Sequence, residues 1–156
     1  MRKPSRRGGI HELRAGDVLV ARLDVKSPSG SAIAEAADAT WRLDRPRGMA
    51  QRRVRVLSGD GSSEVTTFVR EGMGRRGSME LDGRRYELVA HGWWKPRWVW
   101  TSDATELAEL TTRHTFKDER GRVALTAAGH ASPHAALLAL LGTHLALLSA
   151  REAAAG

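Results

Sequence analysis

Apolar and polar residues alternate with a period of two along most of the chain, from residue 17 to residue 127. Because successive side chains of a strand point to opposite faces of a sheet, this period predicts β-strands. Residues 17–26 show it most clearly, with Leu19, Ala21, Leu23 and Val25 on one face and Arg22 and Asp24 on the other. The other predicted strands are 41–43, 53–58, 64–70, 78–81, 84–91, 97–102, 108–116 and 122–126.

Turn-forming sequences separate these strands. Asp82 and Gly83 stand alone between two of them, which predicts a type I′ hairpin because both turn residues then need positive φ. Residues 31–39 fit either a short strand or one helical turn, and the pattern does not choose. Nine or ten strands at regular spacing indicate a mainly β fold, either a sandwich or a barrel.

The pattern changes near the end of the chain, where residues 133–151 predict a helix. Ser132 is a suitable N-cap and Pro133 a suitable first residue. From His134 to Ala150 there is no acidic residue, Lys or Arg, so the helix has no charged face. A helix that is apolar all round is buried, either in protein or in lipid.

Both locations fit the length of this helix. About 20 residues match the thickness of a bilayer core, so a C-terminal membrane anchor is one alternative. We favour a helix enclosed by the strands, because Gly142, His144, Ser149 and many alanines make a poor membrane span. Closed antiparallel barrels can hold such a helix on their axis.

Length and composition indicate one globular domain. The chain has 156 residues, of which 41% are hydrophobic and 28% charged, and it contains no cysteine. The missing cysteines exclude disulfides and thiolate catalysis. Residues 1–9 carry four basic residues and almost no apolar ones, so they predict a flexible basic tail. Residues 10–156 form the predicted single domain.

The chain is basic, with 25 Lys and Arg against 18 Asp and Glu, for a net charge of +7. The excess lies in residues 1–9, with +4, and in residues 40–58, with +5. The second segment supplies a candidate anion-binding cluster, since arginine binds phosphate through paired hydrogen bonds. A solvated strand face is the alternative, because 21 of the 25 basic residues are Arg, as a compositional bias would give. The cluster comprises Arg42, Arg45, Arg47, Arg52, Arg53 and Arg55.

Four of the five tryptophans lie within residues 93–100. Alternation puts Trp98 and Trp100 on one face of a strand and Arg97, Val99 and Thr101 on the other. The two roles open to this segment are contact with a membrane or a nucleic acid base, and packing in the core. A possible interface comprises Trp93, Trp94, Lys95 and Arg97.

The sequence contains no catalytic motif. There is no G-x-S-x-G and no recognisable carboxylate pair, and His130 and His134 flank Pro133 and do not form a convincing metal pair. Residues 72–77 match G-x-G-x-x-G, but the dinucleotide fingerprint needs a helix after it and here a β-hairpin is predicted. We therefore expect a protein that is not an enzyme and has no metal or cofactor. A hydrolase-type site assembled in space is the alternative.

Taken together, the chain resembles the tubby C-terminal-like superfamily, which includes tubby domains, phospholipid scramblases and LURP-one-related proteins. The resemblance covers residues 41–151. It rests on RVRVLSGDGSSEVTTFVR, GSMELDGRRYELV, KDERGRVAL and the closing HAALLALLGTHLALLSAR. It implies an antiparallel closed barrel of about 9–12 short strands around the hydrophobic C-terminal helix.

The resemblance also implies a non-enzymatic module that binds an anionic surface or ligand, most plausibly phospholipid head groups. A cytoplasmic protein, peripheral at a membrane, is the expected location. Scrambling and calcium binding are not implied, since the chain has neither a cysteine for acylation nor an acidic calcium loop. The alternatives are a nucleic-acid-binding module that uses the arginine cluster and the basic tail, and an interaction domain without a ligand.

Overall fold

The computed structural model describes residues 9–15, 17–26, 31–45, 52–71, 74–92, 95–115 and 118–155, with side-chain detail omitted for 112–120 and 153–155. The fold is mainly β, as predicted. Eleven antiparallel strands form one sheet in which the spatial order is the order along the chain, and a C-terminal helix follows them.

The strands are β1 (Gly9–Ala15), β2 (Val18–Val25), β3 (Ala32–Ala36), β4 (Thr40–Asp44), β5 (Arg53–Ser58), β6 (Glu64–Glu71), β7 (Arg76–Leu81), β8 (Arg84–His91), β9 (Arg97–Ser102), β10 (Thr105–Thr115) and β11 (Asp118–Leu125). Two helices follow, α1 (Ala127–Ala131) and α2 (Ala135–Ala155).

The predicted strands are confirmed, three of them (β5, β8 and β9) with the predicted bounds. Residues 31–39 contain a strand, β3, and not a helical turn. Two elements were not predicted. These are β1, which begins inside the predicted tail at Gly9, and the short helix α1.

The turn between β7 and β8 has the predicted conformation, with φ of 52° at Asp82 and 75° at Gly83. A second two-residue turn joins β9 to β10 through Asp103 and Ala104, with φ of 50° and 62°. Positive φ at an alanine is strained, because its Cβ approaches the following carbonyl oxygen. The antiparallel pairing of β9 with β10 therefore holds the turn in this conformation although alanine disfavours it.

The chain divides into two compact units, Met1–Phe68 and Val69–Gly156. In the first unit one sheet face is buried, and its most enclosed residues are Leu23, Ala34, Leu43, Val54 and Val56. Ala21, Leu23 and Val25 are buried, whereas Leu19, predicted on the same face, is 47% exposed. Leu13 pairs with Ala21 but Arg14 pairs with Leu19, so the register shifts there and interrupts the alternation.

In the second unit α2 packs against β9 and β10. Every residue of α2 from Leu137 to Leu148 is buried or half-buried. The buried ones include Ala146 as well as the leucines. The Trp100 indole is fully buried and its Nε1 donates a hydrogen bond to the carbonyl of Leu138, 2.8 Å away. Gly142 allows this approach, because a Cβ there would stand 2.7 Å from Trp100 Nε1.

The start of α2 follows the predicted capping chemistry, although its regular part begins two residues later than predicted. The Ser132 hydroxyl accepts a hydrogen bond from the backbone N–H of His134, at 3.2 Å. Helix ends are assigned within one or two residues, so this bond marks the N-terminal turn that Ser132 and Pro133 predicted. The His134 side chain then contacts Asp82 of the β7–β8 turn, with Nε2 and Oδ2 2.9 Å apart.

The short helix α1 is held against an irregularity in β10. The pairing of β10 with β9 shifts register between Glu106 and Ala108, so Leu107 is an extra residue. The Leu107 carbonyl accepts a hydrogen bond from the backbone N–H of Thr126, at 3.0 Å. Thr126 caps α1 through its hydroxyl, which accepts from the Gly129 N–H at 3.1 Å.

The segment of α2 from Ala135 to Glu152 is long and apolar enough to cross a membrane, and 56% of its residues are buried within the protein. A core helix of a soluble protein passes the same test of length and composition. Over the described residues the sheet is not closed into a barrel, since the strand order begins at β1 and ends at β11. Barrel closure and the single domain at 10–156 stay predictions.

Candidate anion-binding surface

The predicted arginine cluster lies on β4 and β5, in the first unit. Arg42, Arg53 and Arg55 point to the sheet face opposite the buried Leu43, Val54 and Val56, as the alternation predicted. Arg45 and Arg52 flank the two strands, Arg45 half-buried and Arg52 exposed. Arg47 lies outside the described residues.

Acidic residues stand on either side of Arg55. Asp44 is its register partner on β4, with Oδ2 3.8 Å from Arg55 Nη1. Glu64, at the start of β6, has Oε1 3.9 Å from Arg55 Nε. Exposed pairs at these distances contribute little to stability, but they lower the local positive potential. Arg55 is therefore a weak candidate for an anion site.

Arg42 has apolar partners, Ile33 on β3 and Leu57 on β5. Its guanidinium lies over the β5–β6 turn, where a Cβ on Gly61 would stand 2.7 Å from Nη1. The same turn holds Asp60, whose carboxylate accepts hydrogen bonds from Ser58 and Ser62. These bonds lower the pKa of Asp60 to about 2, so the turn keeps a negative charge.

The charges of the first unit cancel over its described part. Residues 9–68 contain eight basic and eight acidic residues among those that the structure describes. The strong positive segment 40–58 is thus balanced by acids on other strands. Of the predicted cluster, Arg42, Arg52 and Arg53 are exposed, and none of them has a described ion pair with an acidic residue.

A second group of basic residues comes together in the second unit, on the exposed face of β8 to β11. His91 pairs with Arg97, Arg97 pairs with Thr111, and Thr111 pairs with Arg122. All four are exposed and form one row across four strands. Lys95, exposed just before β9, extends it. We call His91, Lys95, Arg97 and Arg122 the basic strand-end cluster.

The row contains no acidic residue. The nearest described acidic partner is Glu109, one row further along β10, with Oε2 3.7 Å from Arg97 Nη1. Adjacent strands lie about 5 Å apart, which places Arg97 and Arg122 about 10 Å apart on one side of the sheet. Arg75 lies at the same end and donates a hydrogen bond from its guanidinium to the carbonyl of Gly92.

The tryptophan-rich segment divides into two parts. Trp98 and Trp100 are buried on one face of β9, so they pack in the core. Val99, predicted on the exposed face with Arg97, is also buried, between its register partners Val89 and Glu109. Trp93 and Trp94 lie outside the described residues, so their role at an interface stays a prediction.

The histidines of the C-terminal segment have structural contacts. Besides its contact with Asp82, His134 packs edge-to-face on Tyr86, with ring centroids 6.0 Å apart. His144 is buried in the middle of α2. Among the described residues no group of three His, Asp or Glu side chains is arranged to hold a metal ion. Residues 72–77 lead into the strand β7, not into a helix.

Sequence reasoning found Lys95 and Arg97 but missed His91 and Arg122. Arg122 lies 25 residues beyond Arg97, and only the register of β9, β10 and β11 brings them into one row. The signal that could have shown this was the β10–β11 hairpin, because its turn sets the register of the two strands.

Comparisons with known proteins found no matching family model, no matching curated protein and no matching solved structure.

Proposed function

We propose that the protein is a non-enzymatic, tubby-like module that binds anionic phospholipid head groups through the basic strand-end cluster. The observation that supports this most is the row formed by His91, Arg97, Thr111 and Arg122, which contains no acid. All of its basic side chains are exposed, and the Arg97 guanidinium also lies 3.7 Å from the Glu109 carboxylate. A peripheral position at a membrane follows.

The chemistry of these side chains suits lipid phosphates. Arginine offers a planar set of N–H donors that matches phosphate oxygens, and a hydroxyl such as that of Thr111 can donate a further hydrogen bond. Each basic residue near an anionic membrane contributes about 1 kcal/mol. Trp93 and Trp94 stand between His91 and Lys95 in the sequence, and tryptophan is enriched at membrane interfaces.

The proposal includes closure of the sheet into a barrel around α2. Its support is the uninterrupted antiparallel order of eleven strands and the burial of α2. In a closed barrel β1 has partners on both sides, so its backbone amides are all protected from hydrogen exchange. We expect uniform protection along β1 and β11. Rapid exchange of alternate amides in both strands would show two open sheet edges instead.

Vesicle flotation tests the lipid proposal. The wild-type protein should float with vesicles that contain phosphatidylserine, but not with pure phosphatidylcholine, and high salt should release it because salt screens exposed charges. Arg97→Gln with Arg122→Gln should weaken binding by about 2 kcal/mol, roughly 30-fold, since two basic contacts are lost.

Two control pairs carry the same change in charge. Arg14→Gln with Arg22→Gln lies on β1 and β2 and should leave vesicle binding within about threefold of wild type. Arg52→Gln with Arg53→Gln tests the cluster predicted from sequence. If this pair or the control pair weakens binding as much as Arg97→Gln with Arg122→Gln, the strand-end cluster is not the binding surface. Binding to nucleic acid but not to acidic vesicles would replace the lipid proposal.

A further inference from the structure

Arg70 is a buried cation at the end of β6. Its side chain points to the same face as Thr66 and Phe68 and is only 6% exposed. A buried charge loses its hydration, so it needs a partner that compensates the loss. The contacts of Arg70 therefore indicate what this position is suited to bind.

Only one side of the guanidinium is matched by an anion. Arg70 Nη1 lies 2.8 Å from Oε1 of Glu152, in the last part of α2. Arg70 Nη2 is buried and has no hydrogen-bond acceptor among the residues that the structure describes. The guanidinium could therefore accept a second oxygen on Nη2, as it does in paired contacts with carboxylate or phosphate.

Gly74 makes room for this second nitrogen. Its φ is +80°, and a Cβ added there would stand 2.5 Å from Arg70 Nη2. A side chain at position 74 would thus collide with the unpartnered nitrogen. The glycine lets the backbone lie against the guanidinium.

Glu152 is a weak occupant of the position. Its side chain is 42% exposed, so its carboxylate reaches Arg70 from the solvent. It also lies at the C-terminal end of a helix, where the helix dipole disfavours negative charge. A phosphate that offers one oxygen to each of Nη1 and Nη2 can replace this single contact.

We propose that Arg70 is a binding site for a phosphate group, and that Glu152 occupies it when no phosphate is bound. Two phosphate oxygens accept hydrogen bonds from Nη1 and Nη2, whereas the Glu152 carboxylate lies 2.8 Å from Nη1 and leaves Nη2 without an acceptor among the described residues. The helix end disfavours phosphate as it disfavours Glu152, so the preference comes from the second hydrogen bond. The site is separate from the basic strand-end cluster and does not depend on the proposed function.

Titration with inorganic phosphate at constant ionic strength, without vesicles, tests the site. Glu152→Gln should bind phosphate at least about tenfold more tightly than wild type, because the competing carboxylate is gone. Arg70→Met should abolish binding. Arg70→Lys should weaken it, since lysine keeps the charge but not the paired donors. A thermal unfolding transition for each variant confirms that it is folded.

Matched variants separate this site from other effects of charge. Glu87→Gln removes the acid of an exposed arginine pair on β8 and should not change phosphate affinity. Arg97→Gln with Arg122→Gln should retain the phosphate site even if vesicle binding is lost. The proposal is wrong if Glu152→Gln binds no more tightly than wild type, or if Arg70→Met binds equally well.

A second arm of the experiment identifies the source of the phosphate. Glu152→Gln is compared with wild type on vesicles that contain phosphatidic acid, whose head group is a phosphate monoester. A gain on these vesicles as well as in free phosphate supports a lipid phosphate at Arg70. A gain in free phosphate alone supports a soluble phosphate ester.

Discussion

Gly129→Ala should destabilise the protein by about 3 kcal/mol, at the upper end of the usual cost of overpacking. A Cβ on Gly129 would overlap the carbonyl oxygen of Leu107 and stand 2.8 Å from its carbonyl carbon. Backbone atoms cannot move aside as a flexible side chain can. The substitution therefore has to separate α1 from β10, and it breaks the hydrogen bond between Thr126 N–H and the Leu107 carbonyl. Urea unfolding measures the loss as a lower midpoint.

The control is His130→Ala, one residue further along α1. His130 is exposed, so this substitution should change the free energy of unfolding by less than about 0.5 kcal/mol. Both variants place alanine in the same short helix, and only Gly129→Ala forces a contact with β10. Equal stability of the two variants would contradict the close packing of α1 on Leu107.

This contact also shows where the period of the sequence loses its predictive power. Alternation predicted β5, β8 and β9 with their observed bounds, although Val99 in β9 is buried on the face predicted to be exposed. The alternation does not mark Leu107, an extra residue in the pairing of β10. Five residues of α1 are too few to show a helical period, and the helix is held by tertiary contacts.

The candidate site depends even more on partners that are distant in sequence. Six arginines between residues 42 and 55 looked like the main positive surface. Their strand partners decide the local potential, and Asp44 and Glu64 lie beside Arg55. The members of the basic strand-end cluster come from β8, from the segment 95–97 and from β11, so they are separated along the chain. Summing charges along the sequence finds segments with an excess of basic residues. The potential at a surface depends instead on the charges of residues that lie side by side on neighbouring strands.

The position of the net charge supports this distinction. Of the total of +7, +4 belongs to residues 1–8 and +1 each to Arg47 and Lys117, all outside the described residues. The described part of the protein therefore has a net charge of +1. The lipid proposal therefore depends on a local arrangement, the row of His91, Arg97 and Arg122, and not on the overall charge of this part.

The second large effect is expected at the contact between α2 and β9. Trp100→Ala should destabilise the protein by about 3–5 kcal/mol, since it empties a fully buried site and removes the hydrogen bond to the Leu138 carbonyl. Gly142→Ala should cost about 1–3 kcal/mol, because the added Cβ meets Trp100 Nε1 at 2.7 Å and a methyl group of Leu110 at 2.9 Å.

The two sites should be coupled. In a protein that carries Trp100→Ala, the space next to position 142 is open, so a larger residue there no longer clashes with the indole. Gly142→Leu should be strongly destabilising alone, and it should restore part of the stability of Trp100→Ala by filling the cavity. A coupling of about 0.5–3 kcal/mol, measured by urea unfolding of the single and double variants, is the expected result.

Thr143→Ala provides the control for this cycle. Thr143 is the next residue of α2, and its hydroxyl bonds to the Ala139 carbonyl of the same helix. Combined with Trp100→Ala it should be additive, within about 0.5 kcal/mol, because the Thr143 hydroxyl bonds within its own helix. Additivity of Gly142→Leu with Trp100→Ala would mean that α2 does not lie against β9 in solution. A membrane span would then become the better interpretation of this helix, since its apolar surface would need lipid instead of Trp100 and Leu110.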